Sequence, residues 1–349
     1  MKLARRPTGL HAVDVRPHDP SPGGEAQAVL RSTLQWAVRA PSSHNTQPWR
    51  FRLVDDRVEL YADRTRALPV VDPDDRALVI SCGAALACIV VALRHHGHAG
   101  DVAVLPNPAV PDLLASIGRG ASHTPTGPER QRFAAIDRRH SHRGGFEDRA
   151  VPAGVLTALV EDAAELGVGL HSVTDAAAKR QVAALVAEGD RVQMSDPRFR
   201  AELASWVRTN YTRRVDGIPG YAFGIPGPLS LLGPLMMRHI DMGNRQAVKD
   251  QQLATTAPVL LMLTTHDDTP ADWLATGQAL VNLLLTATAA GLAASFLNQP
   301  IEVGALRKPL ADLLAPSGGV PQLLLRLGYP ASADRATPRR DVDDVLLPR

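Results

Sequence analysis

The 349-residue sequence predicts an α+β fold made of two related halves packed face to face. Two observations predict it. Helical and strand-like periods follow one another within each half, which places both layers in each. A long apolar helix also recurs with the same sequel. Residues 76–97 run into a strand and then Leu105-Pro106-Asn107-Pro108, and residues 272–291 run into a strand and then Leu297-Asn298-Gln299-Pro300. This shared order of elements is the mark of an internal duplication.

Taken in order, residues 1–23 are rich in Pro, Gly and Arg and read as a flexible N-terminal arm. They carry no apolar run of the signal-peptide kind. The first half is assigned to 24–130. Its helical period runs from Glu25 to Ala40 and stops at Pro41, which has no N–H to continue the ladder. Trp49–Val54 and Val58–Ala62 alternate about Asp55-Asp56-Arg57 and predict a hairpin. A helix over Arg76–His98, a strand over Asp101–Leu105, a loop over 118–128 and a short helix reaching Arg139 follow.

The second half is assigned to 131–349. Helices are expected at Pro152–Leu166, Asp175–Asp190 and Asp272–Gly291, and strands at Val168–Val173, Pro258–Thr264, Leu292–Leu297 and Gln322–Gly328. Residues 211–243 hold six Gly and four Pro among apolar residues. They are too irregular for regular structure and too apolar for a free linker, so a lid-like insertion over a pocket is expected.

Composition excludes several classes. Hydrophobic residues are 45% and charged residues 21%, an ordinary globular balance. The net charge of +2 argues for neither a nucleic-acid nor a membrane-surface partner. Two uncharged runs, 77–93 and 273–301, are respectively short of a span and broken by Asn298, Gln299 and Pro300, so a cytoplasmic protein is expected. Of 38 basic residues only four are Lys, so a lone arginine carries little information here. Cys82 and Cys88, six apart on a helix, face different ways and form no metal or disulfide pair. The sequence holds no GxGxxG, P-loop, GxSxG or HExxH motif.

Three stretches can carry chemistry. In Ala40-Pro41-Ser42-Ser43-His44-Asn45-Thr46-Gln47-Pro48-Trp49, the side chains of Ser42, Ser43, Asn45 and Gln47 offer hydroxyls and amides between two prolines. Such a loop can be held ready for a flat, hydrogen-bonding ligand, or can satisfy its own backbone as a turn. In Arg139-His140-Ser141-His142-Arg143, alternate side chains of an extended segment converge, so two guanidinium forks and a hydroxyl can meet one oxyanion. The tail carries Arg339-Arg340.

Together these stretches resemble the nitroreductase superfamily of FMN-binding proteins. Its members carry a PSSxNxQPW loop, an RHSxK/R segment and a basic stretch beyond a strand ending in Gly-Tyr. The counterparts are Pro41–Trp49, Arg139–Arg143 and Arg339-Arg340 after Gly328-Tyr329. Length and order are similar to the Acg-like branch, in which two nitroreductase-like halves are fused into an intramolecular pseudo-dimer. The resemblance implies FMN as cofactor, held through its phosphate by Arg139, Ser141 and Arg143 with Arg339 or Arg340. It implies that Pro41, Ser42, Ser43, Asn45 and Gln47 line the flavin from the other half. Ser295, Leu297 and Asn298 fall in the segment beside the ring edge. PSSHN occurs only in the first half and RHSHR only where the second begins, so one flavin per chain and a possible monomer are expected. The implied activity passes electrons from NAD(P)H through FMN to a nitroaromatic, quinone or similar acceptor, with a small-molecule donor and acceptor as partners. A flavin-sequestering protein and a natural-product dehydrogenase remain as alternatives.

Overall fold

The computed structural model describes residues 22–348 apart from 316, 317 and 334. The proposed arm therefore lies outside the described residues except at Pro22 and Gly23, which open the first helix. The first half runs α1 (Pro22–Ala37), β1 (Trp49–Val54), β2 (Arg57–Ala62), α2 (Arg76–His95), β3 (Asp101–Val104), β4 (Leu113–Gly118) and α3 (Gly127–Ala135). The second begins with α4 (Ala153–Ala164), β5 (Gly169–Val173), α5 (Ala176–Ser195) and α6 (Pro197–Trp206). It continues through β6 (Val207–Arg208), β7 (Ile218–Pro219), α7 (Gly233–His239), α8 (Gly243–Thr256) and β8 (Val259–Thr265). It closes with α9 (Pro270–Ala289), β9 (Ala293–Phe296), α10 (Gln299–Glu302), α11 (Gly304–Leu314), β10 (Val320–Gly328) and α12 (Val342–Val345).

Each half builds one antiparallel sheet, ordered β1-β2-β4-β3 in the first and β5-β8-β10-β9 in the second. Ranked along the chain, both read first, second, fourth, third. In both, the long apolar helix joins the second strand to the third. The second half differs by the elements from α5 to α8, inserted where the first half has only the turn at Asp55-Asp56, and by α10 and α11 between its third and fourth ranked strands.

β4 is absent from the sequence expectation. Leu113–Gly118 is buried at nearly every position, so the in–out alternation that marks a strand is missing from it. The expected irregularity of 211–243 also needs correction. Short helical turns at Gly220–Phe223 and Pro228–Leu231, and α7, occupy much of it.

α2 and α9 cross at the centre and join the two cores, one on the first sheet and one on the second. The crossing is set by two glycines, each the eighth residue of its helix. A Cβ at Gly83 would lie 2.3 Å from the Leu274 carbonyl oxygen, and one at Gly277 would lie 2.0 Å from that of Ile80. Gly277→Ala should therefore destabilise the protein by about 3 kcal/mol or more, because forced separation of two packed helices outweighs the ~1 kcal/mol gain in helix propensity. Chemical denaturation checks this, and a stabilised variant would contradict the close crossing. By length and composition α2 could cross a membrane, but 89% of its apolar window is buried in the protein.

Candidate functional site

A cleft of about 350 Å³ opens between the halves, within the size range of small-molecule sites. Its wall draws on the α1–β1 loop (Pro41 to Asn45), the segment entering the second half (Arg139 to Ser141, and Arg143), β9 and the residues after it (Ser295, Phe296, Asn298, Gln299), and the tail (Arg335 to Thr337, and Arg339). Ser81, a polar residue in an otherwise apolar helical run, joins from α2.

The α1–β1 loop is folded tightly. His44, Asn45 and Gln47 have φ of 50°, 54° and 52°, the left-handed region that non-glycine residues enter rarely. The loop compensates with local bonds. Ser42 Oγ accepts from the Gln47 amide at 2.9 Å, and the Ser43 amide donates to Ser81 Oγ at 3.4 Å. Gln47 and Asn45 then tie three parts of the chain together. Gln47 Nε2 donates to the Val215 carbonyl at 2.8 Å, while its Oε1 accepts from the Arg340 amide at 2.8 Å. Asn45 Nδ2 donates to the Gly217 carbonyl at 3.0 Å, and Arg339 Nη1 donates to Asn45 Oδ1 at 3.0 Å.

The entering segment is held by strand-like pairing. Ser141 bridges Ala294 of β9, and the His142 amide donates to the Ala294 carbonyl at 2.9 Å. Ser141 and Arg143 consequently face the cleft, whereas His142 is fully buried on the other side, its Nε2 2.8 Å from the Gly145 carbonyl oxygen. Arg326 Nη1 and Nη2 donate to the carbonyls of Gly144 and His142 and fix the bend.

The cleft carries unusual charge. Arg139 is 8% exposed, and its recorded bond is from Nη2 to the Arg39 carbonyl at 3.2 Å. Arg339 is partly exposed as a residue, but its Nε is enclosed and has no hydrogen-bond partner. Neither guanidinium forms an ion pair among the described residues, whereas the buried Arg208 pairs with Asp216. Burial and the neighbouring Arg139 and Arg39 lower the Arg339 pKa to about 9; burial also lowers that of Arg139. Arg143, Arg335 and Arg339 all act on the phenol of Tyr221, so these cations share one region. His44 stays neutral, its pKa lowered to about 4 by burial and then by Arg143.

The structure brings Pro41, Ser42, Ser43, Asn45, Arg139, Ser141, Arg143, Ser295, Asn298 and Arg339 to one wall. Gln47, Leu297 and Arg340 are not on it. Gln47 is fully buried in the loop–lid–tail junction, Leu297 lies 2% exposed in a core behind β9, and Arg340 Nη2 donates to the Asp344 carbonyl at 2.6 Å. Cleft residues outside the expected set include Ser81, Tyr221 and Glu302, whereas Gln299 ends the segment Ser295–Gln299 expected beside the ring edge. Ser81 had a signal, a hydroxyl within an apolar helix. Tyr221 lay inside the expected lid. Glu302 had none.

Segment 211–243 borders this cleft: Ile218, Tyr221 and Ala222 line it, and Tyr221 Oη donates to the Ala336 carbonyl at 2.9 Å. Asp216 ties the segment to the rest of the chain. It is 7% exposed and takes ion pairs from Arg66, Arg208 and Arg214, which hold its carboxyl at a pKa of about 2 despite burial.

Fold and site together define an α+β protein with two four-stranded antiparallel sheets and an arginine-rich cleft. The chain belongs to the nitroreductase family, whose model matches residues 136–329. Two Mycobacterium tuberculosis relatives bear the name "Putative NAD(P)H nitroreductase". The one designated Rv3131 is 34% identical over 91% of each chain. The one designated acg is 30% identical over 91% of this chain and 95% of its own. Among solved structures, oxidized iodotyrosine deiodinase bound to FMN and 3-iodo-L-tyrosine aligns with a TM-score of 0.42 at 16% identity, over 60% of this chain and 96% of its own. The FMN and NADPH-dependent nitroreductase NfnB of a sphigopyxis strain aligns with a TM-score of 0.41 at 22% identity, over 62% and 98%.

Proposed function

We propose that the cleft binds one FMN and that the protein is an FMN-dependent oxidoreductase. It would pass electrons from NAD(P)H to a nitroaromatic, quinone or similar small acceptor. The observation that carries this reading is the buried guanidinium of Arg139 and the enclosed, unpartnered Nε of Arg339, without carboxylate partners among the described residues, beside Ser141 and Arg143. Burying a cation unpaired is costly, and a phosphate dianion is the partner whose geometry matches forked donors and a hydroxyl. Arg139, Ser141, Arg143 and Arg339 would hold the phosphate, and Ser42, Ser43 and Asn45 would contact the rest of the cofactor across the seam. Bound FMN supplies two-electron transfer chemistry, whereas the protein supplies position and a dry enclosure.

The shared strand order and the glycine crossing support reading the chain as a fused pseudo-dimer. The halves meet near residue 130, and the insertion 211–243 belongs to the second. The complete motif set occurs once, so one flavin per chain is expected and the protein need not dimerise. The lid favours a second reading, a protein that stores flavin, since Ile218, Tyr221 and Ala222 cover the cleft a nicotinamide must enter. Anaerobic titration of the flavin-loaded protein separates the two. Bleaching by NADH or NADPH is expected; reduction by dithionite alone would favour storage, and a chain that takes up no FMN would overturn both.

A further inference from the structure

We propose that the outer face of the lid is a docking surface for an anionic lipid bilayer. The lid is built inside out. Ser230 is fully buried, where its hydroxyl accepts from the Asn210 amide at 2.9 Å and donates to the Gly227 carbonyl at 2.6 Å. Asn210 in turn receives the Tyr221 amide on Oδ1 and donates through Nδ2 to the Ile225 carbonyl. With the hydroxyl pinned inward, the flanking leucines are turned to solvent. Leu229, Leu231, Leu232 and Leu235 are 52–61% exposed, and Met236 and Ile240 more than 40%. No other stretch of the described residues exposes leucine, isoleucine or methionine in this way. A patch of this kind marks an interaction surface rather than ordinary scatter.

Charge selects the occupant. Between residues 211 and 249 the exposed charged side chains are Arg213, Arg214, Arg238, Arg245 and Lys249, against a single exposed acid, Asp241. Counting the buried Asp216, the stretch holds five Lys and Arg residues against two acids. A second copy on this face would set like charges against one another. Exposed leucines and a methionine, with Arg238 on the same helix as Leu235 and Met236 and further exposed cations flanking the segment in sequence, match the boundary of an anionic bilayer, where apolar side chains enter the acyl region and cations meet headgroups. Ile218, Tyr221 and Ala222 line the cleft from the other part of the same lid, so docking brings the cleft close to the lipid surface.

Flotation of the full chain with vesicles tests this. Phosphatidylglycerol-containing vesicles should bind at least tenfold more tightly than phosphatidylcholine alone, and added salt should weaken the binding. The double variant Leu231→Ser/Leu235→Ser should lose at least tenfold, with its circular dichroism and melting unchanged. Arg238→Glu, which leaves the apolar face intact, should lose roughly fivefold or more. Failure to bind the anionic vesicles overturns the proposal, as does equal binding to both vesicle types. A dimer in sedimentation velocity that the leucine pair abolishes, without vesicle binding, would instead assign the face to a second copy. Recovery of an acidic protein partner without vesicle binding would likewise overturn it. None of these readouts depends on the flavin, so they stand apart from the assignment of the cleft.

Discussion

Replacing Arg139 by methionine should weaken FMN binding at least tenfold while leaving the flavin-free protein no less stable than before. The two halves of this result have one cause. A charge-assisted contact to a dianion contributes about 1.5–3 kcal/mol, so its loss corresponds to a tenfold change or more in affinity. Without an anion the same guanidinium is a burden, since it is 8% exposed, bonded to a single carbonyl and unpaired among the described residues. Methionine fills similar volume without that desolvation cost. Quenching of flavin fluorescence measures the affinity, and a melt without flavin measures the stability. Unchanged affinity would place the phosphate elsewhere. A large fall in the melting temperature would mean that Arg139 already has a structural counter-charge.

Asp216→Asn should cost about 3 kcal/mol and release the lid. The carboxylate pairs with Arg66, Arg208 and Arg214, and Arg208 is itself 8% exposed. Removing the acid leaves guanidiniums crowded together in a poorly solvated place, and breaking a buried pair is costly for that reason. The pH dependence follows from the direction of the shift. The folded-state pKa is lowered from 3.8 to about 2, so the stabilisation is complete above about pH 4 and is lost as pH falls toward 2. The variant should lack that acid limb. Hydrogen exchange should rise at 215–223 in particular, because Val215 and Gly217 are the positions bonded to Gln47 and Asn45. Exchange confined to other regions would remove Asp216 as the anchor.

Much of the site was legible because its parts are local. A proline-bounded polar loop and an alternating Arg-Ser-Arg segment are read from consecutive residues, and ten of the thirteen expected site residues reach one wall. Gln47, Leu297 and Arg340 show the limit of that reading. Gln47 has φ of 52°, and its side-chain amide is bonded away from the cleft, to Val215 and Arg340. Leu297 sits one step past β9, where an apolar side chain is drawn to the core. Glu302 reaches the cleft through the placement of α10, which no periodicity in a four-residue element can announce.

By itself the sequence determined the alternation of helix and strand, the recurrence of one long apolar helix in each half, and the chemistry of the two motifs. These are written in nearest-neighbour spacing, where hydrophobic period and proline placement act directly on the backbone. Only the tertiary structure decided that β4 is a strand, that the halves share one strand order, and that Gly83 and Gly277 meet. It also decided that Arg139 is buried near Arg339 with no carboxylate partner for either among the described residues, and that Ser230 lies inside while its leucines lie out. Each depends on residues far apart in the chain competing for the same low-dielectric space. Local pattern does not carry that information, because burial and counter-charge belong to the folded assembly.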